Sequence, residues 1–487
     1  MIYKLKITAG DIVKKIVILC FFIVILPINA ESISREQNQE IQTLLDDACR
    51  ISKTPGVAVT VTESKEEFFF TSGYADREKN SLVDKETLFE LASMSKAFTG
   101  LGILLLEEEG KLSLDDSIDK YLPELEFKFK GIPVDMKTLT VKNFLFHTSG
   151  LTNEDHGALF YFEKPDTSLA QTIDAFSTSE LSFKPGERFQ YGTMNYDILG
   201  RVIENVSHQE YSDFMTEKIL IPLKLSGTYS DRQKAQSTEK LATGYHAYFG
   251  NTKPYNAPEF IGNRPAGYLI SNSKDMARWL KIQMGVVQDI PDIFKKIVIK
   301  SHIANQSVPP VNKKSYSSGW FISEKANEIE HPGGNPNFVS RIKVSLDNQR
   351  AISVLANSNS MNVNLLNQIE DILNEKKTTK YKMSQLQVID YLSTFLTLVA
   401  LLLSILLSSL IFRKKYHQKN SMMKHHAKIK FYLSLFSSIL LLIILISIGN
   451  DWLNFYLWQP ISILTMVISS LFLTFLLTVY YHVPHEN

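Results

Sequence analysis

Residues 88–100 read LFELASMSKAFTG. Ser93 and Lys96 stand three positions apart, and one helical turn brings such a pair to the same face. A serine beside a lysine can be a nucleophile beside its base. The spacing alone is weak, because Ser-x-x-Lys recurs along the chain, at Ser93, Ser117, Ser237, Ser271 and Ser421 among others. Their surroundings separate them. Ser117 lies among charges in LDDSIDKYLPEL, and Ser237 lies in the polar AQSTEKLA. Ser271 opens SNSKDMARWLK, which reads as the capped start of a surface helix. Ser421 lies in a basic loop between apolar runs. Only Ser93 precedes a helix, residues 95–112, with apolar residues on nearly every face, so this helix should be buried. Its first turn offers free N–H groups and positive potential, which suit a developing oxyanion. An N-cap serine would leave the same trace, so the spacing keeps both readings open.

Outward from this helix, PGVAVTVTES (55–64) is alternating and β-branched, and EEFFFTSGYA (66–75) ends in a turn. Both predict strands. SYSSGWFISEK (315–325), RIKVSLDN (341–348) and RAISVLANS (350–358) predict successive antiparallel strands. Strands at both ends with helices between them predict an α+β fold. One antiparallel sheet is closed by the N- and C-terminal segments, beside a helical subdomain. Gly100 and Gly102 on the buried helix predict a closely packed neighbour.

Lys+Arg 52 against Asp+Glu 51 leaves no basic excess for nucleic acid. The ends of the chain differ from its middle. Lys4, Lys6, Lys14 and Lys15 precede the apolar run Ile16–Leu26 and then Ala30, the pattern of a signal peptide over residues 1–30. Cys20 falls inside it, so Cys49 has no partner for an intramolecular disulfide. Tyr391–Phe412, Phe431–Ile448 and Ile461–Tyr481 are apolar runs close to bilayer-spanning length. The basic loop 413–430 between the first two contains no acid, which the positive-inside rule assigns to the cytoplasm. The expected organisation is a signal at 1–30, an extracytoplasmic domain at 31–375, a solvated linker at 376–387 and a three-helix membrane region at 388–482. The expected location is the inner or plasma membrane. The lipid bilayer is then a partner, and the membrane helices also offer a surface on which two copies can pair.

The domain contains, in order, GYADREKNSLVDKETLFELASMSKAFTG, EEGKLSLDDSIDKYLPEL, LTVKNFLFHTSGL, KPGERFQYGTMNYDILGRVIE, AGYLISNSKDMARWL and HPGGNPNF. These segments resemble the β-lactamase-related serine hydrolase superfamily, which includes class C β-lactamases, penicillin-binding proteins and their esterase and D-aminopeptidase relatives. The resemblance implies a β-lactamase/transpeptidase-like fold, with Ser93 as nucleophile and Lys96 and Tyr191 as a coupled acid–base unit. It implies an oxyanion site made by the N–H groups of Ser93 and Gly334. Thr193 stands where the family's Tyr-x-Asn motif has asparagine, and His331-Pro332-Gly333 stands where it has Lys-Thr-Gly. The fixed cation that holds a β-lactam carboxylate is therefore missing. No cofactor is implied, and the scattered histidines lack metal-ligand spacing.

Signal, hydrolase domain and three helices are also similar to membrane-bound peptidases that remove an N-acyl-D-asparagine cap from an exported prodrug, of the colibactin-, xenocoumacin- and zwittermicin-maturing type. That similarity implies a small acylated peptide substrate held by Glu90, Thr193, His331 and Asn335. A further recognition residue is expected near GNRPAG (262–267). The alternative is a general D-aminopeptidase, DD-peptidase or esterase.

Overall fold

The computed structural model describes residues 33–152, 167–416 and 458–482. The signal segment 1–30, most of the basic loop and the apolar run Phe431–Ile448 lie outside them.

Eight strands form one antiparallel sheet. They are β1 (Gly56–Glu63), β2 (Glu66–Asp76), β3 (Ser81–Leu82), β4 (Ser315–Ser317), β5 (Trp320–Ser323), β6 (Glu328–Asn335), β7 (Phe338–Ser345) and β8 (Arg350–Ala356). Their order across the sheet is β4-β5-β6-β7-β8-β1-β2-β3. The first strand therefore pairs with the last, from Val57 opposite Ala356 to Glu63 opposite Arg350. This is the closure expected from strands at both ends of the domain. The helices that frame the sheet and follow it are α1 (Arg35–Ser52), α2 (Ser95–Glu108), α3 (Met194–Ser207), α4 (Ser273–Gln283), α5 (Leu365–Leu373), α6 (Gln385–Tyr416) and α7 (Ile461–His482).

The alternation in β1 sorts its side chains between two covers. Val57, Val59 and Val61 pack with Ile41 and Leu45 of α1 and Leu366 and Ile369 of α5. On the opposite face Thr60 Oγ1 donates to the Ser273 carbonyl at the start of α4, at 3.2 Å. Here the structure corrects the surface-helix reading. The cap of α4 is Asn272, whose side chain accepts the Asp275 N–H, and Met276, Ala277, Trp279 and Leu280 are buried. Residues 315–325 also differ from one strand. Ser318 (φ 49°) and Gly319 (φ 88°) form a two-residue left-handed turn that folds them into the β4–β5 hairpin.

Helix α2 is buried continuously from Ser95 to Leu106. It ends before residue 112, at a run of glutamates closed by Gly110 with φ 71°. A Cβ on Gly100 would lie 2.5 Å from the Ser318 carbonyl, and one on Gly102 would lie 3.0 Å from Ile203 of α3. Both glycines admit the close neighbour that the sequence predicts.

Among the described residues, two helices are long and apolar enough to cross a membrane, Gln385–Ile411 and Ile461–Tyr480. The third expected helix falls outside these residues. The segment before α6 keeps its lysines exposed but is fastened to the domain at several points. Tyr381 is buried and accepts the Asn362 N–H at 2.8 Å. Gln368 donates to the Thr379 carbonyl at 2.6 Å, and Gln387 donates to that of Ile51 at 2.6 Å. Asp390 is also buried. It accepts the N–H groups of Phe249 (3.1 Å) and Gly250 (2.6 Å), at the tip of a hairpin of the domain, and the Ser462 hydroxyl of α7 (2.5 Å).

Candidate active site

Ser93 lies in a 3-10 turn, Ala92–Met94, that runs directly into α2. Ala92 carries φ 48°, an unfavourable conformation for a residue with a side chain, at the position next to the serine. Three contacts hold the turn. Ser95 Oγ donates to the Ala92 carbonyl (2.7 Å) and accepts the Leu269 N–H (3.0 Å), and Ser340 Oγ donates to the Leu91 carbonyl (2.6 Å). Lys96 follows on the same face as Ser93. Its Nζ donates to Ser93 Oγ at 3.2 Å and to the Ala266 carbonyl at 2.7 Å. Three other Ser-x-x-Lys serines are engaged elsewhere. Ser117 donates to Met136, Ser237 to Lys234, and Ser271 shares a bond with Thr228.

Lys96 is fully buried. Burial lowers its pKa to about 7, with the Asp197 carboxylate acting in the opposite direction. The Lys96 ammonium lies 5.1 Å from the centre of the Tyr191 ring and 5.8 Å from that of Tyr196. Tyr191 Oη is buried without a well-aligned hydrogen bond, and burial raises its pKa while the Ser93 hydroxyl lowers it. The structure thus brings Ser93, Lys96 and Tyr191 together.

The open side of the site is strand β6. Its pairing with β5 stops at Glu330, while its pairing with β7 continues to Asn335. Residues 331–335 therefore have one free edge within an otherwise internal strand. Pro332 has no N–H, so it fits this ladder without loss only when its nitrogen faces that edge. By alternation the Gly334 N–H faces the same way. A Cβ on Gly333 would lie 2.5 Å from the Leu91 carbonyl and 3.1 Å from Ala92 Cβ, so the strand packs directly on the turn that bears Ser93. Next to Gly334 there is open space.

His331 is not a cation standing in for the missing lysine. Its Nδ1 donates to the Pro332 carbonyl (2.6 Å), which leaves Nε2 to accept the Tyr316 hydroxyl (3.1 Å). Burial and the nearby Lys96 lower its pKa to about 3, so the ring is neutral. Both nitrogens are used inside the protein, which argues against direct substrate contact.

Glu90 and Asn335 meet. A short ladder of Phe89–Glu90 with Ile270–Ser271 sets Glu90 beside the turn that bears Ser93. Asn335 Nδ2 donates to Glu90 Oε2 (2.6 Å) and to the Gly267 carbonyl (3.1 Å). Arg232, which no sequence signal indicates, pairs with Glu90 Oε1 at 3.1 Å. Burial raises the Glu90 pKa, against the lowering effects of Arg232 and Asn335. Thr193 is half-buried at the N-cap of α3, two residues after Tyr191. The GNRPAG segment contributes backbone instead of a side chain, through the carbonyls of Ala266 and Gly267.

A sequence model of the β-lactamase family matches residues 41–374. The chain belongs to the β-lactamase family. It is similar to protein flp of Staphylococcus aureus, with 30% identity over 468 residues that cover 91% of this chain and 90% of the relative. Penicillin-binding protein 4* of Bacillus subtilis is 26% identical, over 66% of this chain and 72% of its own. Among solved structures, an octameric penicillin-binding protein homologue from Pyrococcus abyssi aligns with TM-score 0.62 and 24% identity, over 70% of this chain and 78% of that one. A class C β-lactamase aligns with TM-score 0.61 and 19% identity, over 73% and 99%. At such identities the two structures speak for the fold alone. Family members are in general serine hydrolases.

Proposed function

We propose that this β-lactamase-family protein is a serine hydrolase working through an acyl-enzyme on Ser93. The observation that carries the reading is Lys96 Nζ, fully buried, with a pKa of about 7 and 3.2 Å from Ser93 Oγ. Neutral Lys96 takes the Ser93 proton as Oγ attacks a carbonyl carbon. The N–H groups of Ser93 and Gly334 stabilise the oxyanion. The proton passes through the Lys96–Tyr191 unit to the leaving group, and water then releases the acyl group.

For the substrate we propose the amide after an N-acyl-D-amino acid cap, with D-asparagine as the head group, on an exported prodrug. The buried Glu90–Asn335 pair beside the nucleophile supports a polar head group, and α6 and α7 suit an acylated substrate met at a membrane. A membrane anchor with the domain on the extracytoplasmic side, and pairing of two copies through the helices, belong to the same proposal. One observation favours a broader ester or amide hydrolase: Glu90 is already engaged by Arg232 and Asn335. The test offers purified protein N-acyl-D-Asn amides and their L-isomers. Cleavage of the D-isomer alone, abolished in Ser93→Ala, supports the cap peptidase. Equal cleavage of both isomers supports the broader hydrolase. Turnover that survives Ser93→Ala refutes both.

A further inference from the structure

His147 has no part in the chemistry above, yet it touches the catalytic unit on both sides of Tyr191. It is fully buried and left-handed, with φ 55°. Its carbonyl accepts the Gln190 N–H at 3.0 Å. Its Nδ1 lies 3.4 Å from the Gly192 nitrogen and 3.1 Å from Asn195 Nδ2. The Asn195 amide is fixed in orientation, because Oδ1 accepts the Ser149 hydroxyl (2.5 Å) and Nδ2 donates to the Gly192 carbonyl (2.9 Å). Both groups facing Nδ1 are therefore donors, so Nδ1 is the bare acceptor and the proton sits on Nε2. Burial, Lys96 and His331 hold the ring neutral, well below its ordinary pKa. The ring stands 4.5 Å, centre to centre, from both Tyr191 and Tyr316.

The backbone on either side of Tyr191 thus hangs from one residue, through the Gln190 N–H and the Gly192 N–H. We propose that His147 is the positioning residue that sets the Tyr191 hydroxyl against Ser93 and Lys96, acting through the acceptor at Nδ1. This rests on the acyl-enzyme reading of Ser93. A hydroxyl displaced by about 1 Å costs on the order of 10²-fold in rate.

The test uses the full-length protein in detergent with p-nitrophenyl butyrate. His147→Leu removes the acceptor; kcat should fall about 10²-fold while KM stays within about threefold. His147→Asn places an oxygen at the same bond count from Cα as Nδ1, and asparagine tolerates the left-handed backbone. It should recover most of the loss. In a double-mutant cycle, His147→Leu/Tyr191→Phe should be no slower than Tyr191→Phe alone. Unchanged kcat in His147→Leu, an asparagine variant as slow as the leucine one, or losses that multiply in the double variant each overturn the proposal. If leucine prevents folding, Asn against Gln decides it: glutamine sets its acceptor one bond too far, and equal rates for the two overturn the proposal. Ser93→Ala runs beside these. Its continued turnover would sink the acyl-enzyme reading itself, whereas an inactive Ser93→Ala with an unaffected His147→Leu sinks only the positioning role.

Discussion

The pH dependence of acylation distinguishes the two candidate bases. Burial moves Lys96 from 10.5 to about 7. A shift of that size corresponds to roughly 5 kcal/mol against the ammonium, at about 1.4 kcal/mol per unit. Only the neutral amine can accept the Ser93 proton. Log(kcat/KM) should therefore rise with unit slope in acid, bend near pH 7 and stay level above it. At about pH 5 the rate should be roughly 1% of the plateau. Tyr191 predicts another profile. Its burial raises the phenol above its ordinary value of about 10, so a phenolate base would give a rate still climbing at pH 10. The assay is stopped-flow acylation by an activated ester from about pH 5 to 10, with the acyl-enzyme on Ser93 confirmed by mass. A rate that rises through pH 10, or one that does not change below pH 7, refutes Lys96 as the base.

Three further outcomes follow from the same contacts. Lys96→Met should abolish acylation yet raise stability by roughly 2–4 kcal/mol at pH 6, the buried-amine penalty reduced by an unpaired Ala266 carbonyl. The unfolded chain binds the extra proton between about pH 7 and 10.5, so that penalty fades as pH rises while the unpaired carbonyl remains; the stabilities should cross between about pH 8 and 10, and a methionine variant that melts lower at pH 6 contradicts the account. Gly333→Ala forces a methyl group against the Leu91 carbonyl and should cost about 1–3 kcal/mol together with activity, whereas Gly334→Ala has room and should melt like wild type. Glu90→Ala leaves the largely buried Arg232 and the Asn335 amide without their partner and should cost about 3–5 kcal/mol in thermal or denaturant unfolding; a loss under about 1 kcal/mol would mean the pair is not held as described.

The parts of the site legible in the sequence are those in which a side chain carries the signal locally. Ser93 stood out among several candidates because the helix behind it is apolar all round, and that helix is indeed buried. Gly100 and Gly102 announced close packing, and the end strands announced a closed sheet. What escaped was set by distant chain. The Ala266 and Gly267 carbonyls act through backbone, which has no signature in residue identity. Arg232 reaches Glu90 across 142 positions of sequence. His147 sits within the quoted segment LTVKNFLFHTSGL, but the contact it makes with the Gly192 N–H is one that only the fold brings near. His331 was expected to hold substrate, but both of its ring nitrogens are used inside the protein, one by Tyr316. The lysines of 376–387 suggested solvent, while Tyr381 in their midst found the core.

Asp390 has a consequence for how the domain sits on the helices that follow it. A flexible leash would let a domain sweep a wide hemisphere, with its nucleophile at no particular height. Here the hairpin tip, α6 and α7 converge on a single carboxylate, and Tyr381 and Gln387 fasten the approach to it. These contacts tie the start of α6 to the domain. If the helices cross a bilayer, these ties limit the heights above the lipid surface that Ser93 can reach.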